Sequence, residues 1–168
     1  MSTKSLSGEQ LLAIYHEHAA AEFAQDIERT MQTVADHPIF EWPALNLRIE
    51  GRDAVRKMYS EILSRTVHTH VLSERAAATG ENVVVAEYVL SVHHDDGSVT
   101  STGVIAVLEF QGDKIWSERT YTHPDFTELL RKGLGEDFEN FPGVTQLDYN
   151  SLLAQCTPVS WGSATTRN

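Results

Sequence analysis

An α+β domain, with helices first and an antiparallel sheet after them, is the fold class this sequence predicts. Apolar residues recur at helical spacing as far as Leu63, and from His68 onward the period changes to that of strands. Turn signals at Thr79-Gly80, Asp96-Gly97 and Gln111-Gly112-Asp113 then divide the second half into runs that read as consecutive antiparallel strands. A third observation concerns the central run. Val84, Ala86, Tyr88, Leu90 and Val92 make one face apolar, and Val83, Val85 and Val89 do the same for the other, so both faces should be covered.

The elements follow in order. Ser7 opens a capping-box pattern with Gln10, and Leu11, Leu12, Tyr15, Ala19 and Phe23 form the apolar stripe of a first helix. Asp26 can cap a short second helix through Val34, with Ile27, Met31 and Val34 inward, before Asp36 and Pro38 end it. Ile39 to Trp42 is extended. A third helix starts at Arg52 or Asp53 and buries Val55, Met58, Tyr59 and Ile62. Four strands are expected at about 67–78, 82–94, 98–110 and 114–122, followed by a short helix carrying Phe126, Leu129 and Leu130 that ends before Gly133. Residues 1–133 thus form one domain. Residues 134–168, rich in Gly, Asn, Ser, Thr and Gln, read as an irregular tail packing on the domain or on a partner subunit.

Composition excludes several classes of function. The chain has 24 acidic and 13 basic residues, a formal charge of -11, which repels phosphate backbones and anionic lipid, so neither nucleic acid nor membrane is an expected partner. No apolar run reaches the roughly 18–20 residues of a membrane span, and MSTKSLSGEQ lacks the apolar core of a signal peptide, which makes a cytoplasmic location the expectation. Cys156 is the only cysteine and reads as an incidental thiol. His93-His94-Asp95-Asp96 has the composition of a metal site without its geometry, because adjacent strand residues point to opposite faces. His68 and His70 share a face but lack a third ligand. No metal and no cofactor are expected: there is no glycine-rich phosphate loop and no nucleophile elbow.

Turn positions also fix which residues share a face. With a two-residue Asp96-Gly97 turn, Glu87 opposes Ala106, Val89 opposes Val104 and Ser91 opposes Thr102; a three-residue loop at Gln111 to Asp113 places Ala106 beside Glu118, Val104 beside Thr120 and Thr102 beside Thr122. One face then carries an apolar layer of Leu72, Val89, Val104 and Thr120 between polar layers containing His70, Ser91, Thr102 and Thr122 on one side and Glu74, Glu87 and Glu118 on the other. That is the pattern of a binding cavity. The other face, with Ala86, Tyr88 and Leu90, would meet a second subunit in a homodimer.

The stretch Asp36 to Leu63, DHPIFEWPALNLRIEGRDAVRKMYSEIL, joins an aromatic strand through a Gly turn to an amphipathic helix. Together with the helix before it and the four strands after it, it resembles the nuclear transport factor 2-like superfamily, specifically the SnoaL-like polyketide cyclase and steroid isomerase branch. The resemblance implies a cystatin-like roll: a cone-shaped curved antiparallel sheet wrapped around the N-terminal helices and closed on one apolar pocket, in a protein that dimerises. It also implies that Glu118, Thr120 and Thr122 face the cavity. His18 falls where steroid isomerases carry an enol-binding tyrosine, and Tyr59 where they carry a supporting tyrosine. Two departures argue against steroid isomerisation by that mechanism: Trp42 replaces the proton-shuttling carboxylate and Ala106 the proton-donating acid. Thr120 replaces a catalytic aspartate of limonene-epoxide hydrolases, and His123 stands where SnoaL-like chains often carry aspartate.

The expected function is therefore cofactor-independent acid/base chemistry on a small apolar organic ligand, of isomerase, dehydratase, cyclase or epoxide hydrolase type, with a non-catalytic binding dimer as the alternative. His18, Tyr59, Glu87, Glu118 and His123 are the catalytic candidates. Tyr15, Phe40, Trp42, His70, Val89, Val104, Trp116, Thr120 and Thr122 are the candidates for holding the ligand. Each has a plainer reading: His18 as an exposed histidine of the His16-Glu17-His18 run, and Glu87 as the ion-pair partner of Arg75 or Arg119.

Overall fold

The computed structural model describes residues 5–66, 70–94 and 96–156. His68, Asp95 and the tail beyond residue 156 lie outside the described residues. The order is α1 (Gly8–Phe23), α2 (Ile27–Gln32), β1 (Val34–Trp42), β2 (Leu47–Glu50), α3 (Arg52–Thr66), β3 (His70–Gly80), β4 (Val83–His93), β5 (Val99–Gln111), β6 (Lys114–Thr122), α4 (Pro124–Leu134), β7 (Val144–Gln146) and α5 (Tyr149–Gln155). The strands form one curved, unclosed sheet in the order β3-β4-β5-β6-β1-β2-β7.

Local chemistry sets the helix starts. The Ser7 hydroxyl accepts from the Gln10 amide at 3.3 Å while the Gln10 side chain accepts from the Ser7 amide at 2.9 Å, a complete capping box. Asp26 caps α2 by accepting from the Arg29 amide at 3.0 Å. α2 ends earlier than the sequence pattern suggests. Val34 already pairs with Ile115, because β1 runs parallel to β6 and draws the chain into the sheet. A tight turn at Pro43–Leu45, closed by a left-handed Asn46, then folds β2 back along β1.

Residues 135–156 are more regular than their composition implies. β7 pairs antiparallel with β2 and extends the sheet, α5 follows, and Phe138, Val144 and Leu147 are buried. Gly143 makes this docking possible: its φ is +90°, and a Cβ there would sit 2.3 Å from the Glu50 carbonyl oxygen.

Strand register is where structure and sequence pattern part. β4 and β5 are joined by five residues, His94 to Ser98, rather than by a two-residue turn, so Tyr88 pairs with Val104 and Glu87 with Ile105. The change is one residue, and one residue turns every β4 side chain over. Ala86, Tyr88 and Leu90 face the helices and are buried, whereas Val85, Glu87 and Val89 lie on the outer face. β6 moves by two residues relative to β5, the second shift arising from a bulge at Trp116, and its cavity face is preserved. The core beneath the helices is built on Leu11, Phe40, Ile49, Val55, Val84 and Ile115, all at 1% exposure or less. Phe23, expected in the α1 stripe, is 49% exposed, and His18 and Ala21 are buried on that helix instead.

Candidate functional site

Tyr15, His18, Ala19 and Glu22 fall at positions i, i+3, i+4 and i+7 of α1, so one helix stripe points all four at the sheet. α3 faces them with Met58, Tyr59, Ile62 and Leu63. The concave side of the sheet supplies Trp42, Leu72, Tyr88, Val104, Ala106, Leu108, Glu118 and Thr120, and Phe126 and Leu130 of α4 complete a chamber of about 150 Å³. A chamber of this size takes a ligand of about one six-membered ring.

Its polar end is one hydrogen-bonded cluster centred on His18, which is 3% exposed. The Thr33 hydroxyl donates to the Thr30 carbonyl at 2.6 Å, so it can only accept from His18 Nδ1, also at 2.6 Å. This assigns the Nδ1–H tautomer. Nε2 of the neutral ring is then an acceptor for the Tyr59 hydroxyl at 2.9 Å; when protonated it is a donor to Glu22 Oε1 at 3.1 Å. Burial disfavours charge on the ring, but the carboxylates of Glu22 and Glu118 outweigh it and raise the His18 pKa.

Glu118 is the other pole. Its Oε1 accepts from the Thr120 hydroxyl at 3.0 Å, while Oε2 is fully buried with no hydrogen-bond partner and lies 3.9 Å from His18 Nε2. Burial first, then the charge of Glu22, push its pKa up to about 7, against the smaller opposing pull of His18 and Thr120. A carboxyl poised near neutrality with one free oxygen in an apolar chamber can give or take a proton. Beside it, burial raises the Tyr59, Tyr88 and Tyr15 phenols, so all three stay protonated. Tyr15 donates to Glu74 at 2.8 Å.

Of the residues singled out from sequence, the structure brings Tyr15, His18, Trp42, Tyr59, Val104, Glu118 and Thr120 together around the chamber. The others are placed elsewhere. Glu87 and Val89 lie on the outer sheet face because of the β4 register, and Glu87 pairs with Arg75. His123 leaves the sheet after β6 and is exposed, its ring accepting from the Asp125 amide at the start of α4. Phe40 is core beneath the chamber, edge-on to Tyr59 at 6.1 Å. Trp116 is turned by its bulge into a groove on the other face with Arg119 and Tyr121. Thr122 is engaged with Thr127 at 2.7 Å, and His70 is placed opposite Val92 on β3. The structure adds Glu22, which follows His18 by four helical residues, and Tyr88, which the β4 register turns from the expected partner-facing side into the chamber. Among the described residues, no three His, Cys, Asp or Glu side chains converge in metal-binding geometry.

Comparison with known proteins agrees with this architecture. A family model for the SnoaL-like domain matches residues 15–118, more than half of the chain. No curated protein matches this chain. Among solved structures, TerC co-crystallised with polyporic acid aligns with a TM-score of 0.61 at 13% identity, covering 72% of this chain and 98% of that one. A putative ketosteroid isomerase from Kribbella flavida aligns at 0.59 with 15% identity, covering 68% and 78%. An NTF2-like protein of unknown function from Cytophaga hutchinsonii aligns at 0.56 with 16% identity, covering 66% and 97%. At these identities the structural likeness concerns the fold alone. With the family model spanning both the α1 stripe and Glu118, the chain belongs to the SnoaL-like family of the nuclear transport factor 2-like superfamily.

Proposed function

We propose that this protein is a cofactor-independent enzyme that moves a proton on a small, mainly apolar organic molecule. The observation that carries the reading is the buried Oε2 of Glu118, without a hydrogen-bond partner, in a chamber whose apolar wall includes Trp42, Met58, Leu72, Val104 and Leu108. In this scheme Glu118 transfers the proton. His18, held by Thr33 and, in its protonated form, by Glu22, places a positive charge near a ligand oxygen as negative charge develops there. Trp42 and the aliphatic wall hold the apolar body. Such a step covers isomerisation, dehydration and cyclisation alike. TerC, of the same fold, was co-crystallised with an organic acid, and another neighbour is a putative ketosteroid isomerase, which is support from fold analogy only.

The same proposal includes a homodimer formed through the outer sheet face, where Val71, Val85, Val89, Ile105 and Tyr121 are exposed. This is the opposite face from the one the sequence pattern selected. No helix among the described residues is long and apolar enough to cross a membrane, and a cytoplasmic location is our reading from composition.

The test uses a generic probe. Cyclohexanone in D₂O exchanges its α-hydrogens when a base and an oxygen-stabilising group act together, and proton NMR reads the rate. The protein should accelerate exchange above buffer, and Glu118→Gln should remove about 100-fold of that acceleration, the usual scale of a general base. Binding of the ketone without any exchange would replace the enzyme reading by a non-catalytic binding module.

A further inference from the structure

Beside the chamber lies a second space, a cleft of about 470 Å³ between α4 and the ends of β4 and β5. The two share one lining residue among those described, Phe126, half-buried in the first turn of α4. They are also consecutive stretches of one strand face. Side chains two apart on a strand point the same way, so Ala106 and Val104, which line the chamber, are followed along β5 by Thr102 and Thr100, which line the cleft. β4 does the same with Tyr88 in the chamber and Val92 in the cleft.

Polarity changes along this trough. The chamber is walled by aliphatic and aromatic groups apart from its one acid/base cluster. The cleft carries the hydroxyls of Thr100 and Thr102 and the imidazole of His94, with His94 already bonded to Thr100. Of its full charges, Lys132 lies 3.9 Å from Glu128, and Asp125 at the cleft edge is the one that remains. This chemistry suits neutral hydroxyl or carbonyl groups better than a strong anion or cation.

Resting on the reading of the chamber as the reacting site, we propose that chamber and cleft form one bipartite site for an elongated ligand. A compact apolar ring sits beside Glu118, and a neutral oxygen-bearing tail runs past Phe126 to the β5 hydroxyls. The chamber holds little more than the ring, and among the described residues the cleft adjoins it on this face at Phe126. Phe126 is on a helix surface, and a change of its side-chain rotamer opens the junction without backbone movement. It therefore sets the length and width of tail admitted.

The experiment compares two probes, phenol and 3-(4-hydroxyphenyl)propan-1-ol, titrated into the full-length protein and followed by amide NMR. The longer probe should bind about tenfold more tightly and shift the amides of Thr100 and Thr102 as well as those of Val104 and Ala106. Thr102→Val should weaken the longer probe about fivefold, the worth of one hydrogen bond, and leave phenol unchanged. Phe126→Ala should improve binding of the longer probe relative to phenol. Equal affinities with shifts confined to the chamber residues, and no effect of Thr102→Val, would overturn the bipartite site while leaving the chamber as the reacting site. Failure of both probes to bind would overturn the two readings together.

Discussion

Replacing Glu118 with glutamine tests the electrostatics of the site without knowledge of the substrate. The native carboxyl is raised from 4.5 to about 7, so between those values the folded protein holds a proton that the unfolded chain releases. The stability contributed by the protonated carboxyl is fully present below pH 4.5 and is lost as pH rises through about 7. At about 1.4 kcal/mol per tenfold change in proton affinity, the rise corresponds to about 3 kcal/mol. For a chain of this size that is roughly 6–12 °C in melting temperature. His18, also raised, works in the same direction. Carboxylates held low, such as Glu61 hydrogen-bonded to Lys57, shift the opposite way, and the stability they give is lost only as pH falls through the carboxylate range. Glutamine keeps the shape and stays neutral, so Glu118→Gln should melt close to the wild type at pH 5 and roughly 6–12 °C above it at pH 8. Differential scanning calorimetry at the two pH values provides the comparison, and a carboxyl titration of the wild type by carbon NMR gives the pKa itself. A variant less stable than the wild type at pH 8, with a wild-type pKa below that of a free glutamate, would show an ionised Glu118 held by His18 and would refute the argument.

Three other outcomes are expected. His18→Phe fills the same space but leaves Thr33 and Tyr59 without their buried partner, and should cost about 2–4 kcal/mol in urea unfolding; an unchanged midpoint would mean that the cluster contributes nothing to stability. Glu87→Gln should move stability by no more than about 0.5 kcal/mol, since its Arg75 partner is 69% exposed, and a large loss would contradict the outer-face placement. Val89→Arg should convert a dimer to a monomer in analytical ultracentrifugation by placing unpaired charges in the interface, and a wild-type monomer at micromolar concentration would rule out the outer-face dimer.

What the sequence determined by itself is everything governed by neighbours along the chain. Ser7 with Gln10 and Asp26 with Arg29 announce their helices because a cap is a contact between residues three apart. The start of α3 at Arg52 and its inward face of Val55, Met58 and Tyr59 follow from helical periodicity in the same way. Family resemblance added the approach of His18 to Tyr59, 41 residues apart, which no local pattern contains. Tertiary structure decided whatever depends on parity and on distant partners. Thr120 and Glu118 reach the chamber because β6 slipped by two residues, which keeps its face, while Glu87 left it because β4 slipped by one, which does not. That single residue lies in how His94 to Ser98 close their loop, a choice set by the twist and packing of the whole sheet rather than by the Asp-Gly signal within it. The parallel pairing of β1 with β6 and the docking of β7 on β2 likewise join segments with no local signal for each other. The pKa of Glu118 belongs with them: the resemblance turns this glutamate toward a cavity, but only the closing of α1 and α4 over the sheet removes the water that would keep it ordinary.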